Sequence, residues 1–406
     1  MNADLRDWLL SDEAVAVIAG AAGDETPASV ERVRREIGGP EAALRAAAAL
    51  DLVSLRRRAA AKFARAGELF LTAKSFEQAT DEAVARYKAA RFVDFHAPID
   101  VGCATGGDLL ALAEASGRAI GYEAEVTLAA FARRNAEVLG VAATVHAERF
   151  DGPPAGAVWH ADPDRRVGGR RSVRPESHEP SLATLAAWRA TAPDAAIKLA
   201  PAAQLPADWQ SECELEWISR AGECRQLVVW SGSLRQRPGQ RVATRVVSEI
   251  GEVRPRAVSF AGVAETRAPV GAGVGDALYE PDPAVLAAGL SGALADDRGL
   301  AGIAPRIAYL TGGSGLGGAL LAEFRVREVM PLDRKRLAGW LADRRVGRLE
   351  IKCRGVDLRP EELRKQLRSG RNGPKGDAAA TLLVWRDGDR RVRVAITDRV
   401  QGPATP

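Results

Sequence analysis

Apolar residues recur at helical spacing through the N-terminal part of the chain. Pairs such as Leu52 and Leu55 keep the helical period, and breaks such as Gly38-Gly39-Pro40 separate one apolar segment from the next. The pattern predicts a helical N-terminal region over residues 1–74. It also predicts a single helix from about Ser75 to Phe92, at the start of the next domain.

Short apolar runs alternate with helical segments from residue 98 onward. Such alternation is typical of an α/β domain with a parallel sheet, and we predict this domain over residues 75–235. Its last two apolar runs are joined by Arg220-Ala221-Gly222 and predict an antiparallel hairpin. The predicted strands lie at 98–101, 118–122, 142–146, 157–161, 194–198, 212–218 and 226–230.

The chain becomes rich in proline and glycine after residue 235, which predicts a connecting region over residues 236–330. Within it, Gly313-Ser-Gly315-Leu-Gly317-Gly318 matches a dinucleotide-binding pattern, but no acidic residue ends a strand about 20 residues later. We interpret this motif as a loop. A smaller α/β domain follows, and we assign it to residues 331–400.

The most informative motif follows the first strand of the larger α/β domain. Asp100 lies in that strand, Gly102 and Gly106 form a turn without side chains that would block a ligand, and a helix begins near Asp108. The helix start offers free backbone N–H groups. Glu123, at the end of the next strand, can accept hydrogen bonds from ribose hydroxyls. The pairing predicts a nucleotide-type ligand across the ends of two neighbouring strands.

The residue order in this motif indicates that the ligand has a cationic end. Dinucleotide-binding turns carry Gly-x-Gly-x-x-Gly around a pyrophosphate. Here Asp100 precedes the glycines, and a carboxylate at that position repels a phosphate but suits a cation. A nicotinamide-dependent dehydrogenase is the alternative that shares the fold class.

Two further acidic residues end strands of the same domain. Glu148 follows the third strand and Asp162 follows the fourth. Because ligands bind outside the carboxyl ends of parallel strands, where the strand order reverses, we expect both to converge with Asp100 and Glu123. Trp188 falls within a predicted helix and is expected to pack in the core.

The composition is that of an ordinary globular chain with more than one domain. Hydrophobic residues make up 46% and charged residues 27% of the 406 positions, and the net charge of +4 is too small to indicate a polyanionic partner by itself. The sequence has no apolar run of membrane-spanning length and no secretory signal, which predicts a cytoplasmic protein without a membrane contact. The four cysteines lack C-x-x-C spacing, so we expect neither a metal site nor disulfides.

Several motifs together resemble one bacterial methyltransferase family, in which a class I domain precedes a C-terminal THUMP-like domain. The resemblance covers about residues 50 to 396. Its motifs are Glu77-Gln78-Ala79-Thr80, Ala90-Arg91-Phe92, Asp100 to Asp108, Ala132 to Val141, Asp162 to Arg166, Lys198-Leu-Ala-Pro201, Tyr279 to Pro283 and Gly347 to Gly355. The segments 100–108 and 132–141 also resemble the trimethylguanosine-synthase group, which methylates guanine N2 of RNA.

This resemblance implies a Rossmann-like class I methyltransferase domain with S-adenosyl-L-methionine as cofactor, and RNA as the partner. The predicted closing hairpin agrees with such a domain. The resemblance further implies that Glu123 binds the cofactor's ribose, that Glu148 lies at its adenine, and that the remaining residues surround its amino-acid end. The expected cofactor-binding residues are Gln78, Thr80, Asp100, Gly102, Cys103, Gly106, Glu123 and Glu148.

The motif after the fourth strand departs from that of base-methylating enzymes. Enzymes that act on exocyclic amines usually carry Asp/Asn/Ser-Pro-Pro-aromatic there, whereas this chain reads Asp162-Pro163-Asp164-Arg165-Arg166. Asp162 can accept a hydrogen bond from the nucleophile. Arg165 and Arg166 can stack on a base or bind a phosphate, or they only cover an acidic rim. We take Asp162, Arg165 and Arg166 as the candidate catalytic residues.

A C-terminal strand concentrates positive charge on one side. Arg348, Lys352 and Arg354 share one face with Glu350, because alternate residues of a strand point the same way. The row suits a phosphate track for RNA, and it suits a solvated sheet face equally well. Methylation of a small molecule, and binding of cofactor or RNA without catalysis, are the alternative functions.

Overall fold

The computed structural model describes residues 1–21, 27–163, 166–167, 170–171, 179–264, 266–368, 376–387 and 391–400. These residues form two compact units. The first unit contains Met1–Leu215, Gln226–Gly239 and Ser248–Ala257, and the second contains Glu216–Arg225, Gln240–Val247 and the residues from Val258 onward.

Helices form the N-terminal part of the first unit, as the apolar period predicts. They are α1 (Ala3–Leu9), α2 (Asp12–Ala21), α3 (Pro27–Ile37) and α4 (Ala42–Ala59). Their apolar faces enclose a core that includes Trp8, Ile18, Leu52 and Phe70. Burial of these faces stabilises helices whose propensity alone would leave them marginal.

The segment from Ser75 to Phe92 is divided into α5 (Ala73–Gln78) and α6 (Glu82–Ala89), so the prediction of a single helix is wrong. Asp81 starts the second helix, since its side chain accepts a hydrogen bond at 3.0 Å from a backbone N–H of the first turn. The break leaves Thr80 between the two helices, outside both of them.

The first unit is built on a largely parallel sheet with helices between its strands. Its elements are β1 (Ile99–Val101), α7 (Gly107–Ser116), β2 (Ala119–Tyr122), α8 (Val126–Leu139), β3 (Ala143–His146), β4 (Trp159–Ala161), β5 (Arg166–Val167), β6 (Arg170–Arg171), α9 (Leu182–Thr191), β7 (Ala195–Leu199), α10 (Ala207–Glu212), β8 (Glu214–Arg220) and β9 (Glu223–Trp230). The division between the units falls within β8 and β9.

The strand order in this unit is β9-β7-β4-β1-β2-β3. β1 pairs in parallel with β2 and β4, while β9 runs antiparallel to β7. The chain proceeds outward from β1 to β3 and then returns to β4 on the other side of β1, so the order reverses between β1 and β4. The carboxyl ends of these two strands therefore border a crevice, and the predicted α/β fold is confirmed.

The second unit contains a sheet with the strand order β13-β14-β12-β15-β18-β17-β16. Its elements are β10 (Arg241–Val246), β11 (Ala257–Gly262), β12 (Ala277–Pro281), α11 (Pro283–Ala287), α12 (Ser291–Asp297), β13 (Ala301–Gly302), β14 (Leu310–Gly312), β15 (Leu321–Pro331), α13 (Arg334–Asp343), β16 (Val346–Arg354), α14 (Pro360–Arg368), β17 (Ala378–Arg386) and β18 (Val392–Arg399). α13 and α14 pack through Leu337, Leu341 and Leu363 on one face of the sheet. Helices and strands thus occupy the proline- and glycine-rich segment 236–330, and β15 crosses the expected boundary at residue 331.

The glycine-rich motif between β14 and β15 is an ordered loop around a carboxylate of the protein itself. Gly315 and Gly317 donate backbone N–H groups to the two oxygens of Glu323, at 2.8 and 3.0 Å. The Tyr279 hydroxyl donates to the carbonyl of Gly313. The amides that would bind a phosphate in a dinucleotide site are thus occupied by Glu323, which accounts for the glycines structurally.

Candidate active site

A cavity lies at the carboxyl ends of the central strands of the first unit. Its volume is about 790 Å³, within the range of about 300–1,000 Å³ that is usual for small-molecule sites. Most of the residues expected at the site line it, namely Gln78, Thr80, Asp100, Gly102, Cys103, Glu123, Glu148 and Asp162. The fold therefore brings the acidic residues at the four strand ends to one cavity, as predicted.

The turn after β1 shapes one side of this cavity. Gly102 and Gly106 have φ values of 72° and 98°, which a residue with a side chain adopts only with strain. Gly106 does not line the cavity but caps α7. The Ala104 N–H donates to Glu123 Oε2 at 3.0 Å, and the Glu125 N–H donates to Oε1 at 2.8 Å. Backbone groups thus fix the Glu123 carboxylate, whose remaining lone pairs can accept ligand hydroxyls.

Asp100 lines the cavity and has one carboxylate oxygen without a hydrogen-bond partner among the described residues. The side chain is 2% exposed, and its Oδ1 lies 2.7 Å from Nδ1 of His160. Oδ2 is buried and has no hydrogen-bond partner among the described residues. Burial raises the pKa of Asp100, although the neighbouring His160 opposes that shift. A buried oxygen without a partner is costly, so the site favours a ligand that donates to it.

A cluster of buried charged and polar side chains packs next to Asp100. Lys88 Nζ lies 2.7 Å from Asp108 Oδ1 and 3.1 Å from His160 Nε2. Burial raises the pKa of Asp108, but the Lys88 ammonium and the other neighbouring charges outweigh it and hold that pKa below its usual range. Asp108 therefore remains a carboxylate, and it pairs with a lysine that the sequence did not single out.

The cluster extends to the opposite side of the cavity through Thr80. The Thr80 hydroxyl donates to Asp108 Oδ2 at 2.7 Å and accepts from Lys198 Nζ at 3.0 Å. Lys198 Nζ also lies 2.5 Å from Asp162 Oδ2. The Lys198 ammonium group thus links Thr80 to Asp162 at the carboxyl end of the fourth strand.

Aromatic side chains form a wall of the cavity that the sequence did not predict. Tyr122, Phe150 and Trp188 all line it. The ring centroids of Tyr122 and Phe150 are 4.5 Å apart, and those of Phe150 and Trp188 are 5.3 Å apart. The expectation that Trp188 packs in the core is therefore wrong. These three side chains come from different elements of the first unit, so no local motif would reveal the wall.

The other predicted site residues are Glu148, Gln78, Arg165 and Arg166. Glu148 is largely exposed, with Oε1 at 3.9 Å from His146 Nδ1. Gln78 is the last residue of α5. Arg165 lies outside the described residues, and Arg166 is described only through its backbone in β5, where it pairs with Arg171. The catalytic assignment of the two arginines thus stays a prediction.

Two of the cations predicted to form a phosphate track are paired within the second unit. Lys352 Nζ lies 2.6 Å from Glu280 Oε2, and Arg354 Nη2 lies 3.1 Å from Glu280 Oε1. The Glu280 side chain is only 11% exposed. Arg348 is exposed, and its guanidinium lies 3.5 Å from the carbonyl of Asp377. The positive charge of the row is therefore partly neutralised, and Glu280 was missed because it lies 72 residues from Lys352 in sequence.

Neither metal ligands nor a membrane span is visible in the described part of the chain. No group of three or more histidine, cysteine, aspartate or glutamate side chains there is arranged to hold a metal ion. None of the helices in the same residues is both long and apolar enough to cross a membrane.

Comparison with known proteins reveals the family. The chain is 33% identical to an uncharacterised S-adenosylmethionine-dependent methyltransferase of Mycobacterium tuberculosis (strain ATCC 25618 / H37Rv) over 353 residues, which is 84% of this chain and 92% of the relative. The chain belongs to the S-adenosylmethionine-dependent methyltransferases. The prediction of a methyltransferase that uses S-adenosylmethionine is confirmed.

Two further comparisons of this methyltransferase concern its architecture. Residues 321–399 match the THUMP domain-like family, which confirms the predicted THUMP-like domain at the C-terminal end. A putative methyltransferase from Porphyromonas gingivalis W83 superposes with a TM-score of 0.73 at 21% identity, over 96% of this chain and 99% of that one. The fold of nearly the whole chain is thus shared with a solved structure.

Proposed function

We propose that this methyltransferase acts on RNA, with the methyl donor and the acceptor meeting beside Asp162. The observation that carries the proposal is the Lys198–Asp162 pair, which positions a carboxylate acceptor in the same cavity as an aromatic wall. Unpaired bases are bound by aromatic stacking and by hydrogen bonds to their edges. The THUMP-like match over residues 321–399 supports a nucleic-acid substrate.

The residues of the cavity fit S-adenosylmethionine. Asp100 Oδ2 accepts no hydrogen bond from the part of the chain that the structure describes, and it suits the ammonium group of the amino-acid end. Glu123 is held by backbone N–H groups and suits the ribose hydroxyls. Gln78 and Thr80 close the amino-acid side, and Glu148 lies on the adenine side. When bound, the cofactor supplies an electrophilic methyl group.

Asp162 then orients the acceptor and takes its proton. An exocyclic amine of a base, such as that of guanine, donates an N–H to Asp162 and presents its lone pair for in-line attack. As the N–C bond forms, the bond between the methyl carbon and sulfur would break and S-adenosylhomocysteine would leave; the nitrogen would become cationic and its proton would pass to the Asp162 carboxylate. Lys198 Nζ, 2.5 Å from Asp162 Oδ2, positions the carboxylate for this transfer. Catalysis of this kind depends mainly on positioning, which can lower the barrier by several kcal/mol, about 7–11 in well-oriented systems.

Radiolabelled S-adenosylmethionine incubated with separate RNA, protein and metabolite fractions tests the proposal. We expect label to enter RNA with wild-type protein, and not with Asp162→Asn. Label in the metabolite fraction would replace RNA by a small-molecule acceptor. Cofactor binding without transfer to any of the three fractions would favour a non-catalytic binding protein.

A further inference from the structure

Lys88 and His160 are buried titratable residues that the proposed reaction does not use. Each is at most 2% exposed, and neither lines the cavity. His160 lies between two charged groups, with Nδ1 at 2.7 Å from Asp100 Oδ1 and Nε2 at 3.1 Å from Lys88 Nζ. A buried imidazole with a partner at each nitrogen has a defined role in orienting one of them.

The chemistry of these contacts determines the tautomer of His160. A lysine ammonium has only donors, so Nε2 must accept the hydrogen bond from Lys88 and carries no hydrogen. The ring hydrogen is then on Nδ1, where it is donated to Asp100 Oδ1. Burial lowers the pKa of Lys88, and the Asp108 carboxylate, 2.7 Å from its ammonium group, opposes that shift. With Lys88 as the donor, the hydrogen bonds run outward from its ammonium group, to Asp108 on one side and through His160 to Asp100 on the other.

We infer that Lys88 and His160 are positioning residues that hold Asp100 as an oriented carboxylate, with Oδ2 free for the ammonium group of the cofactor. A neutral imidazole that donates through Nδ1 stabilises the ionised form of Asp100 and engages only one of its oxygens. Without that bond, burial would favour the protonated acid, which attracts a cation far less. The inference rests on the proposed placement of the ammonium at Asp100.

Other charged groups around the pair do not replace this contact. Asp108 on α7 opposes ionisation of Asp100, and so does the buried Cys103 thiol if it ionises, but burial, Asp100 and Glu123 raise the pKa of Cys103. Beyond Lys88, the Lys198 ammonium is paired with Asp162. Among these described neighbours, His160 is the residue that donates a hydrogen bond directly to Asp100.

Variants of His160 test the inference through ligand selectivity. Calorimetric titration with S-adenosylhomocysteine, which has the ammonium group, is compared with 5′-methylthioadenosine, which lacks the whole amino-acid end. We expect His160→Leu to weaken binding of S-adenosylhomocysteine at least about tenfold, as for loss of a hydrogen bond to a charged group. Binding of 5′-methylthioadenosine should remain close to wild type, because that ligand does not reach Asp100.

Two conservative variants keep the test valid if His160→Leu fails to fold. Asparagine places an amide N–H near the position of Nδ1 and should restore most of the affinity for S-adenosylhomocysteine. Glutamine places its amide near Nε2, toward Lys88, and should not. In addition, the affinity of the glutamine and leucine variants should fall at a higher pH on acidification than that of wild type, since Asp100 becomes easier to protonate.

The outcomes separate this inference from the proposal on which it rests. If His160→Leu loses affinity equally for both ligands, the role of His160 is merely structural and the inference is overturned. The same holds if the asparagine and glutamine variants have equal affinity for S-adenosylhomocysteine. If Asp100→Asn itself leaves selectivity between the two ligands unchanged, the placement of the ammonium is wrong. If Asp100→Asn changes selectivity and the His160 variants do not, only the role of His160 and Lys88 fails.

Discussion

Replacement of Asp100 by asparagine removes a negative charge from the cavity with almost no change of shape. The asparagine Oδ1 can still accept the hydrogen bond that His160 gives at 2.7 Å. An NH₂ group takes the place of Oδ2, the oxygen that lacks a partner among the described residues. The ammonium of the cofactor would then meet a donor instead of an acceptor. A hydrogen bond between charged groups contributes about 1.5–3 kcal/mol, so affinity for S-adenosylhomocysteine should fall about 10- to 150-fold.

Calorimetric titration of the wild-type and Asp100→Asn proteins measures this loss. Asp151→Asn is the matched control, because Asp151 is exposed and does not line the cavity. The control should bind like wild type. The assay is best run well above the raised pKa of Asp100, where the wild-type carboxylate is ionised and the charge difference is complete. An Asp100→Asn protein that binds as tightly as the control would refute the reasoning.

Three further predictions follow from the same contacts. Glu123→Gln should weaken binding of S-adenosylhomocysteine by about 10- to 150-fold, as for a hydrogen bond to a charged group, and calorimetry that shows full affinity would remove Glu123 from the ribose site. Asp162→Asn should lower methyl transfer about 10²- to 10⁴-fold while the dissociation constant of S-adenosylhomocysteine stays near wild type; a parallel loss of both would make Asp162 a cofactor or structural residue. Arg91→Met should destabilise the first unit by about 3–5 kcal/mol in thermal unfolding, because it leaves a buried Glu214 without its ion pair at 2.8 Å, and an unchanged midpoint would contradict this.

The parts of the site that the sequence predicted are those encoded in one strand and the turn after it. Asp100, Gly102 and Glu123 occupy the expected strand ends because the βαβ connection has few possible geometries. The alternation of apolar runs also placed β1, β2 and β7 correctly to within about two residues. A pattern within one segment is enough to predict where a residue lies when local chemistry fixes the path of the backbone.

The parts that the sequence did not predict depend on contacts between distant segments. The break before α6 places Thr80 against Lys198, a residue 118 positions later. Lys88 and His160 are 72 positions apart in sequence, and only the fold brings their side chains to within 3.1 Å of each other. The period of two did predict that Lys352 and Arg354 share a face, but it gave no sign that Glu280 would pair with both. Register between separate elements is a tertiary property, so no single-segment pattern reveals these partners.

The most direct test of the account is a crystal structure of the protein with S-adenosylhomocysteine, in which the distance from the ligand's ammonium nitrogen to Asp100 Oδ2 is measured. The account predicts a hydrogen-bond distance of about 2.7–3.2 Å, with the ribose hydroxyls at Glu123 and the sulfur facing Asp162. A ligand bound in this cavity with its ammonium away from Asp100, or bound outside the cavity, would contradict it.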